Sequence, residues 1–248
     1  PRDAWRNHCT ANEHPYIVGD FVWTAIDYLG ESGIGRWYYE GDVTDDHWVH
    51  PLFPWHASYC GDIDITGQRK PISHYRNLLW NDSERLYMAV REPDFYYGRK
   101  VKETNWGTWP TFECWNWEGW EGKPIEVEVC SRYPVVRLYL NDVLVGEQRT
   151  GAERRTVFTL PYAAGTLRAE GIGDGEVKES AVLQSAGQAA TIRLTADHSV
   201  LTADGQDIAY VTVEVLDAQG VRHPQADDLL TASVKGHATL AAFGNADI

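Results

Sequence analysis

From residue 84 onward the chain alternates. "RLYMAVRE", "IEVEVCSR", "VVRLYLNDVLVGEQ" and "RTVFTLPY" repeat apolar residues with the period of two that a half-buried strand requires. Turn signals separate these runs. Asn141-Asp142 predicts a tight hairpin, and "LRAEGIGDGEVKESAVL" predicts another around residues 173–175. Short strands with turn signals every 8 to 12 residues or so restrict this part to a β-sandwich of about 100 residues, closing near Gln184. The small-residue bridge "SAGQAA" leads into a second all-β run, "TIRLTADHSVLTADGQDIAYVTVEVLDAQG", then "LLTASVKG" and "ATLAAFGN". With only about 60 residues, this last stretch is short for an immunoglobulin-like sandwich and reads as a partial module with an exposed edge.

The first 83 residues follow a different grammar. Asp3 predicts a cap for a short helix through "AWRNHCTA"; "PYIVGDFVWTAI" reads as a buried, almost continuously apolar strand of the kind found in parallel sheets. A long irregular excursion rich in Trp, His, Pro and Gly covers residues 30–67. In "KPISHYRNLLW", Pro71 suits a first helical turn, and Ile72, Tyr75, Leu78 and Leu79 share one face. Helix, buried strand, long loop and helix make one repeat of a β/α barrel, with the loop at the end of the strand where such barrels keep their active sites. A whole barrel needs roughly 200 residues or more. The expectation is therefore either a different small α/β unit or the tail of a barrel whose other strands lie upstream.

Composition narrows the function. Lys and Arg number 22 against 36 Asp and Glu, a net charge of −14 that repels phosphate backbones and argues against nucleic acid. No stretch approaches the roughly 18 apolar residues of a membrane span. The aromatic load of 11 Trp and 13 Tyr against 6 Phe favours rings with a polar handle, which suit sugars and also fill cores. Cys9, Cys60, Cys114 and Cys130 form no C-x-x-C pair and read as free thiols, with a Cys114–Cys130 bridge as the alternative. "HWVH", with His47 and His50, lacks further ligands at metal-binding spacing, and no cofactor motif is identifiable.

"GDFVWTAIDYLGESGIG", "FPWHASYCGDIDITGQRKPISHYRNLLW" and "WNWEGWEGKPIEVEVCS" continued by "VVRLYLNDVLVGEQ" resemble the C-terminal portion of glycoside hydrolase family 2, and most closely its bacterial β-galactosidase type. The resemblance extends over nearly the whole chain. It implies a multidomain, mainly β protein: residues 1–83 as the end of a (β/α)8 catalytic barrel with strand 8 and helix 8, residues 84–187 as a β-sandwich, and residues 188–248 as a partial immunoglobulin-like module. It also implies a retaining hydrolase of terminal β-galactosides. Such chemistry uses two carboxyl groups about 5 to 5.5 Å apart.

In the family those glutamates precede the eighth strand, so the resemblance places them upstream of Pro1 and assigns this chain no catalytic residue. Glu13 in "NEHP" is on the wrong side of a helix and reads as surface. The resemblance gives substrate contacts to Trp23, whose ring suits the apolar face of galactose, and to Asp27 and Glu31, whose carboxylates suit sugar hydroxyls. Without it, Trp23 reads as barrel core, Asp27 as a turn cap and Glu31 as a solvated acid. His47, Trp48, Trp55 and His56 are candidates for the outer wall of the pocket. Trp115 and Trp117, in the cluster "NWGTWPTFECWNWEGW", fit a sugar platform, a pocket edge or a seam between barrel and sandwich. The implied partners are a β-galactoside or related saccharide and the N-terminal part of the same enzyme. An exported bacterial enzyme, periplasmic or extracellular, is the expectation by fold analogy. The competing reading is a non-catalytic carbohydrate-binding or structural β-sandwich protein.

Overall fold

A computed structural model describes residues 2–30, 33–41, 57–103 and 107–245. The chain runs α1 (Arg2–Glu13), β1 (Tyr38–Tyr39), α2 (Pro71–Trp80), β2 (Leu86–Arg91), β3 (Val101–Lys102), β4 (Thr111–Phe112), β5 (Pro124–Ser131), β6 (Val135–Leu140), β7 (Val143–Arg149), β8 (Arg155–Pro161), β9 (Thr166–Gly173), β10 (Glu176–Gln184), β11 (Ala189–Ala196) and β12 (Val211–Asp217). Among the described residues, two antiparallel four-stranded sheets form the centre, with orders β4-β2-β5-β8 and β10-β9-β6-β7.

Register explains how the two sheets close on each other. β2 and β5 pair Met88 with Val129 and Val90 with Val127; β5 and β8 pair Val127 with Phe158 and Ile125 with Leu160. These residues share one core with Val136, Leu138, Leu167 and Ala169 of the facing sheet. The predicted turns form as expected. Asn141 and Asp142, at φ 50° and 62°, link β6 to β7, and Asp174-Gly175, at φ 54° and 79°, link β9 to β10. Positive φ at both central residues matches the twist of the flanking strands.

The intervening residues of β2 and β5 point the other way. Tyr87, Ala89 and Cys130 are buried against Ala4 of α1 and Tyr75, Leu78 and Leu79 of α2. The helices therefore form a third layer on the outside of the first sheet. Polar links fix the layer: the Tyr75 hydroxyl donates to Glu153 O (2.8 Å), and Arg154 Nη1 donates to Leu78 O (3.1 Å). His74 stacks flat on Tyr87, ring centroids 4.1 Å apart, with its two nitrogens facing Glu84 and Glu113. The helical face read from the sequence is the one that is buried. Asp3 lies inside the first turn of α1 instead of capping it, 3.1 Å from Arg6.

Trp115 and Trp117 belong to the sandwich core, at 0% and 1% exposure, and line no pocket edge or sugar platform. Burying an indole needs a partner for its N–H. Trp115 donates to Ala163 O (3.0 Å) and Trp117 to Cys114 O (3.3 Å), while the Tyr162 hydroxyl bridges them by accepting from Trp117 N and donating to Trp115 O. Cys114 and Cys130 are buried free thiols, as are the half-buried Cys9 and Cys60.

Two sequence expectations fail for the same reason. "PYIVGDFVWTAI" forms no strand, with Val18 97% and Phe21 93% exposed. "LLTASVKG" and "ATLAAFGN" likewise form none over residues 229–245, leaving β11 and β12 as an exposed pair. A strand exists through lateral pairing, and a two-stranded unit buries too little to recruit more. Among the described residues, the first run is paired only near its end, where Thr24 to Ile26 meet residues 60–63 around the parallel bridge between Ile26 and Ile63.

The buried indoles yield a stability prediction. Trp115→Ala or Trp117→Ala is expected to cost about 3–5 kcal/mol in urea unfolding followed by near-ultraviolet circular dichroism. A change below about 1 kcal/mol is incompatible with the core position assigned to these rings.

Candidate functional site

The residues singled out in the sequence converge where the segment after α1 meets the one before α2. Residues 24–27 run alongside 60–63: Thr24 N donates to Cys60 O, Asp62 N to Thr24 O, Ile63 N to Ala25 O and Asp27 N to Ile63 O. At the start of this lacing Trp23 is 61% exposed, which removes it from any core. Its orientation is nevertheless set. Nε1 donates to the Tyr28 hydroxyl (3.1 Å), and the two rings meet edge to face at 6.3 Å. Five residues apart in sequence, these two rings make a small aromatic corner with the indole largely exposed.

Asp27 takes a different role from the one expected. Its side chain is 1% exposed. Oδ1 accepts from Gly61 N and from Lys70 Nζ, both at 2.7 Å, and Oδ2 lies 2.7 Å from the same Nζ. Lys70 also donates to Tyr59 O (2.9 Å) and stands 3.4 Å from the centroid of the Tyr59 ring. The carboxylate is buried away from solvent, and through Oδ1 it ties this segment to the residue preceding α2. Gly61 is required for this approach, since a Cβ there would lie 2.3 Å from Asp27 N.

Burial pushes the Asp27 carboxyl up from its ordinary value and the Lys70 ammonium down, and their mutual hydrogen bond and charge oppose both shifts. Burial also raises the Tyr59 phenol to about 12, so it stays a neutral ring beneath the ammonium. Neighbouring cations are matched in the same way: Arg76 is 2.9 Å from Asp62, and Arg69 is 3.1 Å from Glu84. Glu31, His47, Trp48, Trp55 and His56 lie outside the described residues.

A second acidic centre, far from this loop in sequence, is joined to it through Tyr39. Glu92, just past β2, is 3% exposed and accepts from the Tyr39 hydroxyl (2.8 Å); its backbone oxygen accepts from Trp109 Nε1 (2.9 Å). Burial raises its carboxyl to about 7, against the pull of Tyr39 and Arg36. Sequence reading had no signal for Lys70, Tyr59 or Glu92 as partners, because Asp27–Lys70 and Tyr39–Glu92 are separated by 43 and 53 residues.

Comparison with known proteins places this geometry. The family model described as glycoside hydrolase family 2 C-terminal domain 5 matches residues 192–248, and a domain of unknown function (DUF4982) matches residues 122–178. The chain is 28% identical over 237 residues to a β-galactosidase of Bacteroides ovatus, covering 94% of this chain and 23% of that protein. It is 34% identical over 253 residues to a β-glucuronidase of Formosa agariphila, covering 96% and 23%. A crystal structure of a glycosyl hydrolase family 2 member from Bacteroides cellulosilyticus superposes with a TM-score of 0.78 at 34% identity, over 89% of this chain and 28% of that one. The chain thus spans about a quarter of the length of these curated relatives.

Two measurements test the site. Lys70→Met leaves Asp27 buried without its counter-charge, and a loss of about 3–5 kcal/mol in denaturant unfolding is expected, against near neutrality for an exposed pair. For Glu92 the folded-state value near 7 exceeds the ordinary 4.5, so the folded form binds more protons in that window. Stability therefore falls as pH rises from about 4.5 to about 7, and Glu92→Gln is expected to flatten this part of a Tm-against-pH profile. An unchanged slope would rule out a buried, proton-holding Glu92.

Proposed function

This chain is a segment of a glycoside hydrolase family 2 protein, and from that premise we propose that its parent hydrolyses terminal β-galactosides with retention of configuration. In this reading residues 1–83 close a catalytic barrel, residues 84–187 form the sandwich that braces it, and residues 188–248 begin a further immunoglobulin-like module. The run from Val18 to Tyr28 would be its eighth strand, its exposed apolar residues covered by the strands on either side. The carboxyl pair that breaks the glycosidic bond would be supplied by the preceding part of the protein, and the 248-residue chain alone would be inactive.

What this chain contributes is a binding surface. Trp23, with its indole edge held by Tyr28 and the indole largely exposed, would stack on the apolar face of the sugar. Glu31 would accept from its hydroxyls. Asp27 would act one step removed, as a positioning residue that holds the Trp23 segment against residues 60–63 through Gly61 and Lys70.

The pairing of the cations carries the choice of sugar. Lys70, Arg69 and Arg76, the lysine and arginines between 57 and 76 beside this segment, are matched by Asp27, Glu84 and Asp62. A uronic acid needs an uncommitted cation for its carboxylate; a neutral hexose does not. This favours a galactoside over a glucuronide, although relatives named for each sugar exist.

The test is hydrolysis of paired chromogenic β-galactoside and β-glucuronide by the full-length protein. The galactoside is expected to have the higher kcat/KM by at least about tenfold, or 1.4 kcal/mol. Trp23→Ala is expected to lower kcat/KM by about 10- to 100-fold, and the isolated 248-residue chain should show no turnover. Preference for the glucuronide, or turnover by the isolated chain at the parental rate, would refute this reading.

A further inference from the structure

We infer that the loop joining β2 to β3 is a saccharide-binding platform, with the rings of Phe95 and Tyr97 as its stacking surface. The sequence "EPDFYYGRK" places three aromatic residues in a row, and the fold sends the middle one inward. Tyr96 packs edge-on against Trp117 (5.0 Å) and Trp120 (6.0 Å), and its hydroxyl donates to Glu118 O (3.2 Å). Phe95 and Tyr97 flank it at 52% and 57% exposure, outside the sandwich core.

The display is fixed in place. Tyr96 N donates to Pro93 O, Gly98 N to Phe95 O, and Val101 N to the Asp94 carboxylate. Tyr97 meets Tyr39 edge to face at 5.9 Å, and Tyr39 is held from below by Glu92 and has the Arg99 guanidinium 5.0 Å from its ring. Phe95 adopts φ 67°, a left-handed conformation that a bulky side chain rarely takes. Such strain costs on the order of 1–3 kcal/mol and gathers at ligand-holding positions. The Phe95 ring is half exposed at the surface.

Two exposed rings in a segment that also carries Asp94, Arg99 and Lys100 suit a ligand with one apolar face and a hydroxylated edge, and the mixed charge of the segment selects for neither ionic sign. A neutral saccharide meets both conditions. Polyanions are disfavoured by the chain's charge of −14.

The experiment is native affinity electrophoresis of the full-length protein through gels containing soluble β-galactan, arabinogalactan, galactomannan or xyloglucan. At least one is expected to retard the wild type. Phe95→Ala combined with Tyr97→Ala should raise the dissociation constant at least about tenfold with Tm unchanged, while Tyr97→Trp, which keeps a ring, should stay within about threefold. No retardation of the wild type, or equal retardation of the double variant, would overturn the platform. A protein that is retarded through these rings yet cleaves no β-galactoside would refute the hydrolytic reading alone.

Discussion

The structure depends on one sheet being buried on both faces. Along β2, Leu86, Met88 and Val90 enter the core between the sheets, and Tyr87 and Ala89 enter the core beneath the helices. A strand used in this way commits every side chain, and it sets the distance between the helical layer and the sandwich. The same alternation on β5 sends Val127 and Val129 one way and Cys130 the other. Everything carried by the segments near α2, including Lys70 and through it Asp27, is thereby referenced to the sandwich.

This arrangement gives the polar groups their meaning. A buried carboxylate is tolerable only with a counter-charge and hydrogen bonds, and Asp27 obtains both from Lys70 and Gly61. Glu92 obtains one strong donor, Tyr39, and remains poised near neutrality. The first holds the segment bearing Trp23 against the start of α2; the second joins β1, within the long loop, to the sandwich.

Much of the fold was legible in the sequence because its signals are local. The Asn141-Asp142 turn, the hairpin at Asp174-Gly175, Pro71 at the start of α2 and the buried face of that helix each follow from residues within one or two turns of one another. The tryptophan cluster was legible only as a choice. An indole fits a sugar or a core equally well, and what decided for the core was the pair of indole acceptors at Ala163 and Cys114. The apolar run at residues 16–26 misled for the opposite reason: its composition is that of a strand, but pairing is a property of neighbours.

By itself, the sequence determined the alternation that makes the sandwich, the turns that set its register, the amphipathic face of α2, and the net acidic balance. Tertiary structure alone decided which aromatic rings face solvent and which carboxylates are open to a ligand. Trp115 and Trp117 went inside, Phe95 and Tyr97 stayed outside, and Asp27 was claimed by a lysine far along the chain. The physical reason is range. Backbone propensity acts over a few residues, whereas burial and the satisfaction of a buried charge are settled by whatever the fold brings within about 3 Å.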